Sequence, residues 1–202
     1  MFPYVRENLN SYLASNWNSE PLQSCLPLLA MDTERNPEEV AKTIIRMMDN
    51  DIKATGLKQL QGLIWKDGFH NGQLVAHLYD DVAPAIQSWV DSEIDVRIYS
   101  SGSIGAQKLF FGHTVAGNLL DRFRGHYDTT TGPKREQQSY EAIAAEFACT
   151  PAEILFVSDV TEELSAAKEA GLQTALSIRP GNKPVGDDHG FNAIQSFAEI
   201  RV

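Results

Sequence analysis

The 202-residue sequence has few cysteines, an excess of acidic over basic residues, and no long apolar run. Cys25 and Cys149 lie far apart and outside any metal-binding spacing, so the sequence predicts neither a disulfide framework nor a zinc site. Lysine and arginine total 17 against 27 acidic residues, a net charge of −10, which disfavours nucleic acid or an anionic membrane as partner. No apolar run approaches the roughly 20 residues that span a bilayer, and no secretory signal is visible. A cytoplasmic location is therefore expected.

The apolar residues of the first half recur with a helical period, and no strand is predicted before about residue 94. One helix is predicted from Phe2 to Trp17. A second should begin after the cap residue Asn36, which is followed by proline and two acidic residues. A third is predicted from Leu57 to Trp65, with a stop at Gly68. Residues 1–85 are thus expected to form an all-helical domain.

From residue 94 onward, short β-rich runs alternate with helical segments. The predicted strands are Ile94–Tyr99, Ile154–Val157 and Gln173–Ile178. This alternation predicts a doubly wound parallel α/β sheet over residues 86–202, with ligands bound beyond the carboxyl ends of its strands. Ser100, Ser101 and Asp159 lie at the carboxyl ends of two of these strands. They are therefore the first candidates for a binding site.

The serines and Lys134 could bind a phosphate group. Ser100 and Ser101 precede the helix that starts at Ser103, where hydroxyls, free N–H groups and the helix dipole favour an anion. A loop with an ordinary helix cap is the alternative. Lys134 enters the next helical run, where the dipole disfavours a cation unless an anion is bound nearby. A solvated lysine is the alternative there.

Asp159 is a candidate metal ligand, since Mg²⁺ prefers hard oxygen donors. Glu163 follows four residues later and could reach the same cation, although helix N-capping by Ser158 or Asp159 is an equal alternative. His113 could act as a proton shuttle or be a hydrogen-bonded structural residue. These alternatives stay open on sequence grounds.

Several segments together resemble motifs two, three and four of the haloacid dehalogenase superfamily of phosphatases. The three motifs correspond to Ile98–Ser103, Gly132–Lys134 and Ile154–Asp159, and a closer match adds Phe111–Thr114, Tyr127–Thr130 and Ser158–Val160. With the helical segments Leu57–Trp65, Gly68–Phe69 and His77–Val82, they are most similar to its enolase-phosphatase family, the acireductone synthases of methionine salvage. The resemblance extends over nearly the whole chain.

The resemblance implies a function and a role for each candidate residue. The family's enzymes use Mg²⁺ to enolise 2,3-diketo-5-methylthiopentyl-1-phosphate and then remove its phosphate, which gives the acireductone. By resemblance, Ser100 and Ser101 bind the substrate phosphate, Lys134 neutralises phosphoryl charge as the catalytic cation, and Asp159 binds Mg²⁺. The fold implied is a parallel-sheet core with a helical cap, in a protein that is usually a monomer.

One family motif has no counterpart in these 202 residues. The family starts with a strand ending Asp-x-Glu-Gly-Thr-Thr, whose Asp accepts the phosphoryl group, whereas this sequence begins about where the residues after that motif belong. Asp32 cannot substitute, because it lies in the helical half without a glycine turn. The start of this sequence is therefore expected to lie downstream of the true start, and the chain as written is expected to be inactive. The missing strand would be central in the sheet, so its two neighbours are expected to have unpaired backbone groups. A non-catalytic phosphate-ester-binding protein, or a phosphatase for another small ester, is the alternative.

Overall fold

The computed structural model describes residues 1–29, 35–52, 54–186 and 188–201; Asp32 lies outside them. The helices of this part are α1 (Phe2–Asn16), α2 (Glu20–Cys25), α3 (Pro37–Asp49), α4 (Thr55–His70), α5 (Val82–Asp91), α6 (Ile104–Gly112), α7 (Gln137–Ala144) and α8 (Thr161–Glu169). The strands are β1 (Arg97–Tyr99), β2 (Gly125–Tyr127), β3 (Leu155–Ser158), β4 (Gln173–Ser177) and β5 (Asn192–Ile194). None of the helices described is both long and apolar enough to cross a membrane.

The chain divides into two compact units. The first, here called the helical unit, comprises Met1–Ala76 and Leu109–Val115, and the second, the sheet unit, comprises His77–Lys108 and Ala116–Val202. The sequence-based boundary between a helical domain (residues 1–85) and an α/β domain (residues 86–202) stays a prediction.

The helical unit has a core of aliphatic side chains contributed mainly by α1, α3 and α4. Its fully buried members include Val5, Leu9, Leu13, Val40, Ile44, Leu60 and Ile64. Asn36 caps α3 as predicted, because its Oδ1 accepts a hydrogen bond from the Glu39 N–H at 3.0 Å. In the described residues of this unit the only β-type pairing is an isolated bridge between Ala76 and Thr114.

The predicted helix stop at Gly68 is wrong, since α4 continues to His70. Gly68 is buried, and a Cβ atom there would lie 2.5 Å from Cε1 of the Tyr4 ring. The glycine allows α4 to approach Tyr4 closely and has no role in ending the helix.

All strand pairs in the described residues of the sheet unit are parallel, as the alternation of strands and helices predicted. Strand β1 pairs with β2, while β3, β4 and β5 form a second sheet in that order. Strands β2 and β5 were missed from the sequence because each has three residues and neither forms an apolar run. In the described residues, β1 and β3 are not paired with each other, which agrees with the expected gap in the sheet.

The two sheets share an aromatic cluster with α7. Tyr140 of α7 is 1% exposed, and its ring centroid lies 5.5 Å from that of Tyr99 on β1 and 4.9 Å from that of Phe156 on β3. Both contacts are edge-to-face, the favoured arrangement of aromatic pairs. Tyr140 therefore brings the carboxyl end of β1 and the middle of β3 to one side of the same helix.

Candidate active site

Lys134 lies in a turn before α7 that is fixed by three hydroxyl groups. Tyr99 donates to the Gly132 carbonyl at 2.9 Å, Ser139 to the Pro133 carbonyl at 2.8 Å, and Tyr140 to the Lys134 carbonyl at 2.6 Å. A Cβ atom on Gly132 would lie 2.2 Å from Oγ of Ser139. The turn therefore requires glycine at that position and holds the Lys134 backbone rigidly.

The Lys134 ammonium is paired with Glu163 of α8. Its Nζ donates to Oε2 of Glu163 at 2.5 Å, and Ser158 donates to the same oxygen at 2.8 Å. The Lys134 and Glu163 side chains are only 16% and 13% exposed. Glu163 therefore acts in this structure as the partner of the lysine and of the serine that ends β3.

Two aromatic rings place the Lys134 ammonium between the sheets. Its Nζ lies 5.5 Å from the ring centroid of Tyr99 and 5.8 Å from that of Phe156. Such rings attract a cation through their electron-rich faces. Tyr99 directly precedes Ser100 and Ser101, so the cation lies close to the ends of both β1 and β3. The ammonium thus lies near residues of both strands, and its role at a phosphate group stays a prediction.

The loop after β1 is organised largely by its own hydrogen bonds. Ser100 Oγ accepts from the Gly102 N–H at 3.1 Å, and Ser103 Oγ accepts from the Ala106 N–H at 3.3 Å. Such local bonds are those of a loop with an ordinary helix cap, the alternative to an anion site. An accepting hydroxyl retains its own O–H to donate, so Ser100 can cap the loop and still bind an anion. Ser101 is exposed.

Asp128 occupies part of the helix terminus at which an anion was expected. Its Oδ2 accepts from the Ile104 N–H at the start of α6 at 3.0 Å, and its Oδ1 accepts from both the N–H and the hydroxyl of Thr130. A carboxylate is favourable at this end of the helix dipole. In the sequence Asp128 stands out only as part of the motif match, and its role at the start of α6 was not predicted.

Gln107 attaches the loop to the end of β2. Its buried side-chain amide donates to the carbonyls of Gly102 at 2.9 Å and Tyr127 at 2.8 Å, while its Oε1 faces Nδ1 of His126 at 3.1 Å. Because an amide oxygen can only accept, Nδ1 of His126 carries the proton. Burial lowers the pKa of His126, with the nearby Lys108 charge as a smaller cause.

Asp159 is exposed directly after β3 and could hold a divalent cation. Its Oδ2 accepts a hydrogen bond from Nδ2 of Asn182 at 2.6 Å. The part of the chain that the structure describes contains no group of three or more His, Cys, Asp and Glu residues arranged to hold a metal. A single exposed carboxylate nevertheless suits Mg²⁺, which keeps several waters and often binds through one or two carboxylates plus substrate phosphate.

His113 belongs to the helical unit and has structural contacts there. Its Nδ1 lies 2.9 Å from the Leu109 carbonyl oxygen, and its ring stacks on Phe69 with centroids 5.1 Å apart. These contacts favour the structural alternative over a proton shuttle.

Comparison with known proteins identifies the class to which this fold and site belong. The sequence matches the haloacid dehalogenase-like hydrolase family over residues 27–171. A crystal structure of the UTR4 protein of Saccharomyces cerevisiae superimposes with a TM-score of 0.83 at 33% identity, over 98% of this chain and 90% of that one. The chain belongs to the haloacid dehalogenase-like hydrolases.

More closely, the chain belongs to the enolase-phosphatase E1 family, and by family it is a phosphatase. It is 45% identical to enolase-phosphatase E1 of Aquifex aeolicus, over 100% of this chain and 90% of the relative. It is 38% identical to the protein of the same name from Danio rerio, over 100% of this chain and 87% of the relative. The family resemblance and the fold class inferred from the sequence are confirmed. The roles of Ser100, Ser101, Lys134 and Asp159 stay predictions.

Proposed function

We propose that this protein is a Mg²⁺-dependent enolase-phosphatase of methionine salvage. Its substrate would be the small phosphorylated diketone 2,3-diketo-5-methylthiopentyl-1-phosphate, which it enolises and dephosphorylates to the acireductone. The observation that carries the proposal is the Lys134 ammonium, held by Glu163 between the ends of β1 and β3. The relatives' names give only an enolase and a phosphatase activity, and the particular substrate is the one that the family resemblance implies.

Each residue of the site would make a different contact with the phosphoryl group. Ser100 and Ser101 would donate hydrogen bonds to its oxygens, and Lys134 would offset the charge that develops during transfer. Asp159 would hold Mg²⁺, which when bound withdraws charge from the phosphoryl oxygens. Because Glu163 and the turn before α7 fix Lys134 in advance, little reorganisation is needed when substrate binds.

We further propose that these 202 residues alone release little phosphate. A lysine, serines and a metal stabilise charge but do not accept the phosphoryl group, which requires a carboxylate nucleophile. The resemblance puts that carboxylate at the end of a strand, and β1 and β3, which are not paired with each other in the described residues, offer a place for such a strand.

Strand complementation tests both parts of the proposal. The 202-residue chain is assayed with the diketone phosphate and Mg²⁺, with and without a synthetic apolar peptide that ends Asp-x-Glu-Gly-Thr-Thr. Phosphate release is expected only with the peptide, and a peptide with Asn in place of its first Asp should fail. Full activity of the chain alone would contradict the predicted inactivity, and peptide-dependent activity on other small phosphate esters but not on the diketone would contradict the substrate.

The divided sheet also favours a second candidate, a non-catalytic protein that binds phosphate esters. Calorimetry with the diketone phosphate would then show binding that Lys134→Ala weakens, while the exposed control Lys58→Ala binds normally. Failure of every peptide to support turnover, despite such binding, would favour this candidate over the enzyme.

The remaining parts of the proposal concern the protein's surroundings. With a net charge of −10, neither nucleic acid nor a membrane is proposed as a partner. We also propose a cytoplasmic monomer, which cell fractionation and sedimentation equilibrium would test.

A further inference from the structure

We infer that Asn182 is a positioning residue that sets the orientation of the Asp159 carboxylate for a divalent cation. The inference rests on the proposed function in one respect, namely that Asp159 binds the cation. Sequence analysis gave Asn182 no role.

The side-chain amide of Asn182 can point in only one direction. Its Oδ1 accepts a hydrogen bond from the Arg179 N–H at 2.6 Å, and the backbone N–H of Asn182 donates to the Arg179 carbonyl at 3.0 Å. A backbone N–H can only donate, so the atom that faces it must be the amide oxygen. The Nδ2 group is thereby directed at Oδ2 of Asp159, which it reaches at 2.6 Å.

The turn that carries Asn182 is anchored by a largely buried ion pair. The Arg179 guanidinium donates to both carboxylate oxygens of Asp81, at 3.0 and 2.5 Å, and the two side chains are 9% and 20% exposed. Oδ2 of Asp81 also accepts from Ser196 Oγ at 3.0 Å and from the Phe197 N–H at 2.6 Å. A bidentate pair of this kind fixes direction as well as distance.

Two rings and a glycine complete the anchor. The guanidinium carbon of Arg179 lies 5.0 Å from the Tyr79 ring centroid and 5.2 Å from that of Phe197, and Tyr79 donates to the Pro180 carbonyl at 2.7 Å. Gly181 has a φ of +91°, which glycine adopts without strain. A rigid turn therefore presents a fixed N–H donor to an otherwise exposed carboxylate.

This arrangement has a direct consequence for cation binding. With Oδ2 engaged by Asn182, the Asp159 side chain loses much of its rotational freedom, and Oδ1 is left in a set direction for the cation. Residues that hydrogen-bond a metal ligand in this way commonly contribute 10- to 100-fold to metal affinity. We therefore expect removal of the amide to weaken cation binding by about 10-fold.

Binding of Mn²⁺ alone tests the inference without any assay of turnover. Free Mn²⁺ is measured by electron paramagnetic resonance during titration of wild type, Asn182→Ala, Asp159→Ala and the double variant. The control is Asn118→Ala, because Oδ1 of Asn118 likewise accepts a backbone N–H, that of Leu120, in another loop. The melting temperature of each variant is recorded to show that it is folded.

The inference expects Asn182→Ala to bind Mn²⁺ about 10-fold more weakly than wild type and Asn118→Ala to bind normally. In the Asp159→Ala background, Asn182→Ala should cause no further loss. Wild-type affinity in Asn182→Ala, or an equal loss with and without Asp159, overturns the positioning role but leaves the proposed function standing. Equal binding by wild type and Asp159→Ala instead removes Asp159 as a ligand, and with it that part of the proposed function.

Discussion

The Nζ of Lys134 lies 2.5 Å from Oε2 of Glu163, and both side chains are largely removed from solvent. Two opposite charges in such a place depend on each other, because the loss of one leaves the other buried without a partner. Ser158 donates to the same carboxylate oxygen, so the pair also connects α8 to the end of β3. The candidate catalytic cation is thus part of the structural core of its unit.

Removal of Glu163 should therefore destabilise the protein. We expect Glu163→Ala to lower the free energy of unfolding by about 3 kcal/mol, since a buried ammonium loses its partner. The matched control is Glu162→Ala in the same helical turn, because Glu162 forms an exposed ion pair with Arg135 at 3.7 Å. Exposed pairs contribute about 0–1 kcal/mol. Urea denaturation measures both variants, and equal losses would count against the buried pair.

Two glycines of α4 should respond to alanine with opposite signs. A Cβ atom on Gly56 would lie 2.7 Å from the backbone carbonyl carbon of Leu28, whereas nothing lies within 4 Å of one on Gly62. We expect Gly56→Ala to cost about 1–3 kcal/mol by overpacking. Gly62→Ala should stabilise the helix by up to about 1 kcal/mol. Thermal unfolding distinguishes them, and a shift of the same sign in both would refute the packing argument.

His126 should make part of the stability depend on pH. Its pKa in the folded protein is lowered, chiefly by burial, so the unfolded chain binds the proton more readily. This contribution to stability is fully present above the unfolded pKa of about 6.5 and is lost as the pH falls below that value. In His126→Asn, which can keep the N–H donor to Gln107, the loss between pH 8 and 5 should be smaller. Chemical denaturation at both pH values checks this, and an unchanged pH dependence would exclude His126 as the cause.

Asp81 should contribute in a lower pH range. The hydrogen bonds from Arg179 are the largest cause that lowers its pKa, so its contribution is present above the unfolded value of about 3.9 and declines below it. Asp81→Asn should cost about 3 kcal/mol at pH 7, because Arg179 loses its charged partner, and the difference from wild type should shrink toward pH 3.

The control for this prediction is Asp91→Asn, because the Asp91 carboxylate accepts from Gln87 on the surface. Urea denaturation from pH 3 to 7 measures all three proteins. A difference between wild type and Asp81→Asn that did not vary with pH would contradict the assignment.

Much of the fold follows from local patterns in the sequence. The cap at Asn36 and the apolar stripe of α1 were sufficient to predict two helices, and the alternation after residue 94 predicted the parallel sheet. Strand β2 could not be found this way, because a three-residue strand such as Gly125–Tyr127 has too few positions to show a period. The stop at Gly68 failed because the reason for that glycine is the ring of Tyr4, which is distant in sequence.

The candidate site was predictable only where its residues follow strand ends or belong to recognised motifs. Lys134 and Asp159 satisfy that condition. Glu163 was considered as a possible metal ligand, and its ion pair with Lys134 was not predicted. Asn182 lies in a segment whose composition resembles a linker, and its role depends on atoms of Asp159 and Arg179 brought together only by folding. Such hydrogen bonds leave no periodic or compositional signal in the sequence.

The helical unit is built from two separated stretches of chain, Met1–Ala76 and Leu109–Val115. Ala76 exchanges backbone hydrogen bonds with the second stretch, donating to His113 and accepting from Val115. Transplanting this unit into a relative would therefore require three junctions, after residues 76, 108 and 115. A recombination event with one crossover would leave a chimera with mismatched halves, so inheritance of both units as a block is the expected evolutionary outcome.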